Sequence, residues 1–555
     1  MINTISLQLK YFFSKFTFRR KKGIEERLKA SYGSIKDENF HFSKIEKYFL
    51  HKDHSKAHQV ISDKTCNDLD FDELFMFLDR THSKIGQQYL YNKLRTIHPN
   101  SAQMELDEAI ISELSENEKL RIEVQKKLEK LNHKDAYYVR ALFQESHISP
   151  PKWFSSIKIL SFLSFITIVL SFYKPIFFGV FSAIFCINLI IHYWNKKNLV
   201  QYINSIPQLI RLNAVAGHLF TNKNLQKLQP KLTDAIRVIR SVKNKMSFFQ
   251  LEANLQGEFA IFAWFVFEIF KITFLIEPLL LFGVLRKLET KRNEIESVFT
   301  FVGHVDFLIA IASVRESAVR YCIPTITSKS ETCADEIHHP LIRNCVTNNI
   351  DLRDKSLLLT GSNMSGKTSF IRAVGINVIT GLTINTCFAK QMSFPCMRIF
   401  SAIRISDDLM NDKSYYFEEV ITIKEMIAES EKDTINLFLL DELFKGTNTV
   451  ERISAGKAVL SALAKNNNKV LVSTHDIELT DMLAENYELY HFSEIVEENT
   501  VAFDYKLKEG KLKNRNAIRI LEMNQYPTAI IQEAIAISKT LDDTYLNQKK
   551  DQQNH

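Results

Sequence analysis

Across residues 159–194 the chain carries a single formal charge, Lys174, at the point where two apolar runs meet in Tyr173-Lys174-Pro175. Runs of this kind bury no polar face against water, so they fold as helices that either cross a bilayer or lie wholly inside a core. Residues 159–173 are just short of the ~20 needed to cross, although Lys158 can snorkel and Trp153 can sit at the interface; residues 175–194 are a full-length span. Lys152, Lys158, Lys196 and Lys197 flank the outer ends, whereas the connection holds only Lys174. That asymmetry places both outer ends in the cytoplasm. A soluble core helix rarely stays uncharged on every face for this length, so a transmembrane hairpin is expected, with a pair of buried core helices as the alternative.

The rest of the chain is organised around that hairpin. Residues 1–69 form an N-terminal basic, amphipathic segment in which Phe12, Phe13, Phe16 and Phe18 mix with Arg19, Arg20, Lys21 and Lys22, suited to an anionic membrane surface or to packing on the protein itself. Residues 70–150 carry apolar positions at helical spacing and read as the first part of a helical core, interrupted by the hairpin at 151–198 and resumed at 199–320. Within the second part, 259–285 is apolar again but holds Glu268, Lys271 and Glu277, each costing ~2.5 to 3.5 kcal/mol at a bilayer centre. A third span would also move the following domain to the far side of the membrane, so this segment is expected to be interfacial or packed against the hairpin. A charged helix over 286–317 then leads into 321–540, where short β-branched or apolar runs alternate with helices, the pattern of an α/β nucleotide-binding domain. A polar tail follows at 541–555. Few glycines and prolines for 555 residues favour long helices, and the +7 charge is compatible with a phosphate ligand, nucleic acid or lipid headgroups without selecting among them. Seven cysteines without CxxC spacing and no cleavable leader, since Lys10, Lys15 and Arg19 break the N-terminal apolar residues, point to a reducing cytoplasm.

Chemistry concentrates in the α/β region. Residues 356–360, SLLLT, read as a buried strand running into GSNMSGKTS (Gly361, Ser362, Asn363, Met364, Ser365, Gly366, Lys367, Thr368, Ser369) and then a helix. Strand, GxxxxGK[ST] and helix in that order are what a phosphate-binding loop requires. Gly361 and Gly366 let the backbone curl its N–H groups toward phosphate, Lys367 is placed to pair with the β- and γ-phosphates of ATP, and the Thr368 hydroxyl to ligate Mg²⁺. Downstream, Asn436 opens the apolar run 437–440, which delivers Asp441 and Glu442 at a strand end, where open parallel sheets bind ligands. Asp441 is expected to hold the Mg²⁺ shell and Glu442 to orient and polarise the attacking water. A third strand, 469–473, ends in Thr474-His475-Asp476, bringing His475 to the same edge, where it can contact the γ-phosphate.

These residues resemble the ATPase domain of the MutS mismatch-recognition family. GSNMSGKTS resembles that family's phosphate loop, DELFKGTNT its DE-x-x-x-GT segment, STHD its TH switch, and HHPLI at 338–342 its lead-in. DDLMNDKSYYFEEV, 407–420, resembles the segment whose serine, here Ser414, reaches across a dimer to the partner's γ-phosphate. The match runs from about 335 to 535. LDRTHSKIGQQYLYNKL, 78–94, more weakly resembles the start of the family's helical core, whose levers join the ATPase to a DNA clamp. Taken with the hairpin read above, the resemblance implies an α + α/β protein: a helical lever domain with an inserted transmembrane hairpin, then an ABC-like P-loop ATPase domain with a mainly parallel sheet.

Several departures matter. The family's mismatch-detecting members carry a large N-terminal domain with a Phe-x-Glu wedge, and here only about seventy residues precede the core motif. Phe71-Asp72-Glu73 fits the wedge by letters alone. No aromatic stands near Cys345-Val346 where the family places one under adenine. The expected function is therefore an ATP-hydrolysing, membrane-anchored homodimer, contacting lipid, whose nucleotide state drives lever motion. A double-stranded DNA-binding repair or recombination ATPase is the competitor, through Lys227, Lys231, Arg237, Arg240 and Lys243. A transporter-type ATPase ranks third, because Ser414-Tyr415-Tyr416 stands where that class has a Gly-rich signature.

Overall fold

The computed structural model describes residues 23–553 apart from 255–260, 363, 405–414, 498–499, 513–517, 519–520 and 523. The aromatic and basic cluster at 12–22 therefore lies outside the described residues. The chain divides into two compact units, one of residues 1–57, 75–96 and 100–318, the other of 58–74, 97–99 and 319–555.

The first unit is helical. Among its helices are α1 (Lys84–Arg95), α2 (Phe154–Ser171), α3 (Ile176–Leu219), α4 (Leu232–Asn254), α5 (Ile261–Phe274), α6 (Ile276–Glu289) and α7 (Arg292–Ser317). Helix α7 was expected as a charged helix over 286–317. Apart from the buried Asp306 its charges instead sit toward the two ends, and from Val298 to Val314 nearly every side chain is buried, so it forms the axis of the unit's core. Helix α1 packs closely on it: a Cβ on Gly86 would lie 2.1 Å from Asp306 Oδ2, and one on Gly303 2.8 Å from Tyr89 Cβ. Asp306 explains the local fold of the LDRTHSKIG stretch. Its carboxylate accepts from His82 N (2.7 Å), Ser83 N (2.8 Å) and Ser83 Oγ (2.5 Å), satisfying donors at the start of α1, while Ser83 caps that helix by accepting from Gly86 N. Burial in this setting raises the Asp306 pKa to about 6.

Helices α2 and α3 form the expected hairpin, reversing at Phe172–Pro175, and α3 continues unbroken for 44 residues into the body of the unit. Among the described residues, three helices are long and apolar enough to cross a membrane: α2, the first half of α3, and α7. They differ in what surrounds them. Only 17% and 11% of the residues in the α2 and α3 spans are buried, against 83% for α7.

The second unit is α/β. Its main sheet orders as Lys508–Glu509, Tyr487–His491, Ser356–Thr360, Lys469–Ser473, Asn436–Asp441 and Arg398–Ala402, all parallel except the first, which is antiparallel to its neighbour. A smaller four-stranded sheet joins Thr325–Thr327, Gln391–Pro395, Thr332–Ile337 and Asn348–Leu352. The main-sheet strands at 356–360, 437–440 and 469–473 are buried throughout, as uninterrupted apolar runs flanked by helices must be. Helix α8 (Lys367–Ile384) lies on the sheet closely enough that a Cβ on Gly375 would meet Leu439 Cδ1 at 2.5 Å.

One segment departs from its expected place. Residues 58–74 belong to this unit, not to an N-terminal extension. Gln59 exchanges hydrogen bonds with the backbone of edge-strand residue Ile399 (2.7 and 2.8 Å), and Asp68 accepts from Ser401 Oγ (2.6 Å) and Arg404 N (2.8 Å). The sheet edge is thereby covered. Phe71 is buried in this setting, as a core residue and not an exposed wedge.

Candidate nucleotide site

Strands at 356–360, 469–473 and 436–441 are consecutive neighbours in the sheet, with Ser473 in register with both Leu359 and Asp441. Parallel pairing therefore brings their C-terminal tips to one edge, and the residues that follow each strand converge there.

The loop after the first tip is shaped by positive φ angles. Gly361 has φ +151° and Gly366 +104°, and a Cβ on Gly361 would stand 2.9 Å from the Phe492 carbonyl oxygen and from Ser365 Oγ. Met364, at φ +67° and largely exposed, takes the strained conformation that shapes the loop crest. Asn363 lies outside the described residues. Ser365 is buried, Ser369 lines the adjoining cleft, and Ser362 Oγ donates to Glu494. Lys367, almost wholly buried, opens α8 and donates to the carbonyl oxygens of Gly361 and Ser362 (both 2.9 Å), so the loop wraps its own lysine. Burial lowers the Lys367 pKa. Thr368 Oγ1 donates to Asp441 Oδ2 at 2.7 Å, and Ser473 Oγ donates to the other carboxylate oxygen. A hydroxyl and a carboxylate facing each other across the loop are the oxygen donors a small hard cation prefers, so these two residues fit Mg²⁺.

Glu442 follows at φ +54°, a conformation unusual for a side-chain-bearing residue, anchored by its N–H donating to Ser473 O (2.9 Å). Its carboxylate meets His475 Nε2 at 2.9 Å and Lys445 Nζ at 2.9 Å. The His475 hydrogen bond, more than any other contact, holds its pKa down, to about 2. His475 Nε2 also lies 3.5 Å from Lys367 Nζ. The structure thus brings Lys367, Thr368, Asp441, Glu442 and His475 together. Ser414 lies outside the described residues, immediately before the helix Tyr415–Ser430.

Several supporting residues carried no motif. Arg452 holds Asp476 with two hydrogen bonds (2.9 and 2.6 Å), bracing the turn that presents His475. Glu419, buried, accepts from Phe444 N at 2.7 Å and pins the turn after Glu442. The only advance signal for Arg452 was its position in the helix (Thr449–Leu463) that follows DELFKGTNT. Beside the loop opens a cleft of about 520 Å³ lined by Ile342, Val346, Phe492 and Tyr505 as well as by the loop itself. Tyr505, from another part of the chain, thus lines the same cleft as Cys345, its ring 3.3 Å from where a Gly366 Cβ would be.

Comparison with known proteins agrees with this architecture. Residues 357–542 match the family model MutS domain V. The chain is similar to the DNA mismatch repair protein MutS of Listeria welshimeri (28% identical over 282 residues, 48% of this chain and 32% of the relative). It is also similar to the MutS of Listeria monocytogenes serotype 4a (30% over 256 residues, 44% and 29%) and of Aquifex pyrophilus (28% over 255 residues, 44% and 29%). The chain spans about a third of the length of these curated relatives. Residues 357–542 thus form a MutS domain V, an ABC-like P-loop ATPase domain, in a chain to which the MutS proteins are distant relatives over about half its length.

Proposed function

We propose that this protein is a membrane-anchored ATPase that works as a homodimer. In this reading Lys367 and the N–H groups of the 361–369 loop grip the triphosphate of ATP. Thr368 and Asp441 would hold Mg²⁺, which when bound would neutralise charge on the phosphate oxygens. Glu442 orients the attacking water, and His475 reports on the γ-phosphate. The convergence of these five side chains at three adjacent strand tips is the observation that carries the reading. His475 holds Glu442 at 2.9 Å, so Glu442 is released toward water when His475 turns to another acceptor. A γ-phosphate is such an acceptor, which ties water activation to the presence of the full triphosphate. Tyr505 and Phe492 supply apolar, aromatic walls for the base. Ser414 of one chain completes the site of its partner.

The hairpin of α2 and α3 supports anchoring: its residues are apolar and mostly unburied by protein, whereas the equally apolar α7 is enclosed. Detergent-purified protein should hydrolyse ATP in Mg²⁺, and Lys367→Ala should abolish nucleotide binding; binding retained by that variant would refute the assignment of the loop. The competing DNA reading rests on Lys227, Lys231, Arg237, Arg240 and Lys243, which are exposed on α4 and the segment before it. It predicts duplex binding that weakens steeply with salt, and no binding at low salt removes it.

A further inference from the structure

We infer that α5 and α6 form a re-entrant element that dips into the cytoplasmic leaflet beside the hairpin and turns back without crossing, with lipid acyl chains as the partner of the outer face of α5. This rests on the membrane reading of α2 and α3 and adds a third lipid-contacting helix to it.

The first observation is an inverted polarity. On α5, Phe262, Phe265, Val266, Ile269 and Phe270 are exposed, whereas Glu268, Lys271 and Thr273 are buried. The hairpin shows the same inversion: Phe162, Phe165, Ile187 and Ile190 are exposed while Ser164, Asn188 and His192 are fully buried. A helix in water turns its charges out and its phenylalanines in; three neighbouring helices doing the opposite present apolar faces that match the hydrocarbon of a bilayer.

The second observation is how the inward polar groups pair with one another. Asn188 Nδ2 donates to Ser164 Oγ (3.1 Å) on α2 and to Thr273 O (2.8 Å) on α5. Glu268 meets His192 Nε2 (3.1 Å) and Lys196 Nζ (3.0 Å) on α3 and Lys271 Nζ (2.7 Å) on its own helix. Lys271 also meets Glu277 (3.0 Å) on α6. Every charge in the 259–285 segment that made a membrane location costly is therefore paired inside the bundle.

The third observation is depth. Thr273 pairs with Asn188, and Glu268 pairs with His192 and Lys196, so α5 runs antiparallel to α3, inward from the outer end of the hairpin. Asn188 lies nine residues from Lys197, ~14 Å along the helix, about half of a ~30 Å hydrocarbon core. At that depth the chain breaks: Leu275 adopts a left-handed conformation (φ +46°), and α6 begins at once with Glu277 and Pro278 buried. Trp153 and Trp194, in ring contact at 5.3 Å, stand at the outer level, where an interfacial aromatic belt belongs.

The test places the photo-crosslinker p-benzoylphenylalanine in the full chain, reconstituted in vesicles of phosphatidylethanolamine and phosphatidylglycerol. It replaces Phe270 or Phe265 on α5, Phe165 on α2 as the hairpin control, and Phe299 in the α7 core as the enclosed control. Crosslinked phospholipid is read by mass. Adducts at Phe165 and at either α5 position, with none at Phe299, are expected. Adducts at Phe165 but at neither α5 position, with the proteins monodisperse in detergent, overturn the inference and leave the hairpin standing. Adducts at none of the three overturn both.

Discussion

Replacing Glu442 with Gln separates water activation from nucleotide grip. The carboxylate lies 2.9 Å from both His475 Nε2 and Lys445 Nζ, and these contacts take its pKa from an ordinary 4.5 to about 2. At ~1.4 kcal/mol for each tenfold change, the charged form is favoured by ~3 kcal/mol in this setting. An amide of the same shape still accepts from one of the two donors but brings no charge to the water. General-base and water-orienting groups contribute roughly 10²- to 10⁴-fold, so kcat should fall by that factor, ~3 to 5 kcal/mol of barrier. Affinity should hardly move, because Lys367 and the loop make no contact that the substitution removes. Stability supplies a second readout. A depressed carboxylate pKa stabilises the fold above pH 4.5 and loses that contribution as pH falls toward 2, so wild type should lead the variant by ~1 to 3 kcal/mol at pH 7 and converge with it in acid. Single-turnover phosphate release, with binding of a fluorescent ATP analogue measured separately, reads the first effect. Turnover within tenfold of wild type at unchanged affinity would refute the role assigned to Glu442.

Three further experiments reach beyond Glu442. Gly361→Ala should weaken nucleotide binding more than tenfold, because its Cβ meets the fixed Phe492 carbonyl at 2.9 Å and φ +151° is hostile to a side chain; calorimetric titration with ATP checks this. Mixing Ser414→Ala with Lys367→Ala chains should recover partial ATPase activity, since mixed dimers hold one intact site, and no recovery argues against sharing across subunits. Asp306→Asn should flatten a pH dependence of stability. The folded pKa of Asp306 is raised to about 6 from an ordinary 3.8, so its contribution is most favourable below 3.8, declines as pH rises toward 6, and is constant above. Urea midpoints of wild type and variant between pH 4 and 7 measure the slope.

The α/β half was legible because its signals are local: an uninterrupted apolar strand, a glycine pair and a lysine fix one backbone shape wherever they occur, and Asp441, Glu442 and His475 follow from strand ends. What escaped was non-local. Nothing in the spacing of Arg452, Glu419 or Tyr505 ties them to the loop, because their pairing depends on how the sheet and its helices close. The segment 58–74 escaped for the same reason, since Gln59 and Asp68 act on an edge strand more than three hundred positions away. In the helical half, composition marked out the hairpin but read 286–317 as a charged helix, although α7 is nearly as apolar as the hairpin and enclosed. The charges of α5 argued against the membrane only while their partners on α3 and α6 were unknown.

Alkaline carbonate extraction of membranes containing the full chain tests most directly whether an ATPase carrying a MutS domain V is here fixed in a bilayer. The account predicts that the protein stays in the membrane pellet and leaves it only with detergent. Complete release into the carbonate supernatant would contradict it, and would turn the exposed faces of α2, α3 and α5 into surfaces for another protein.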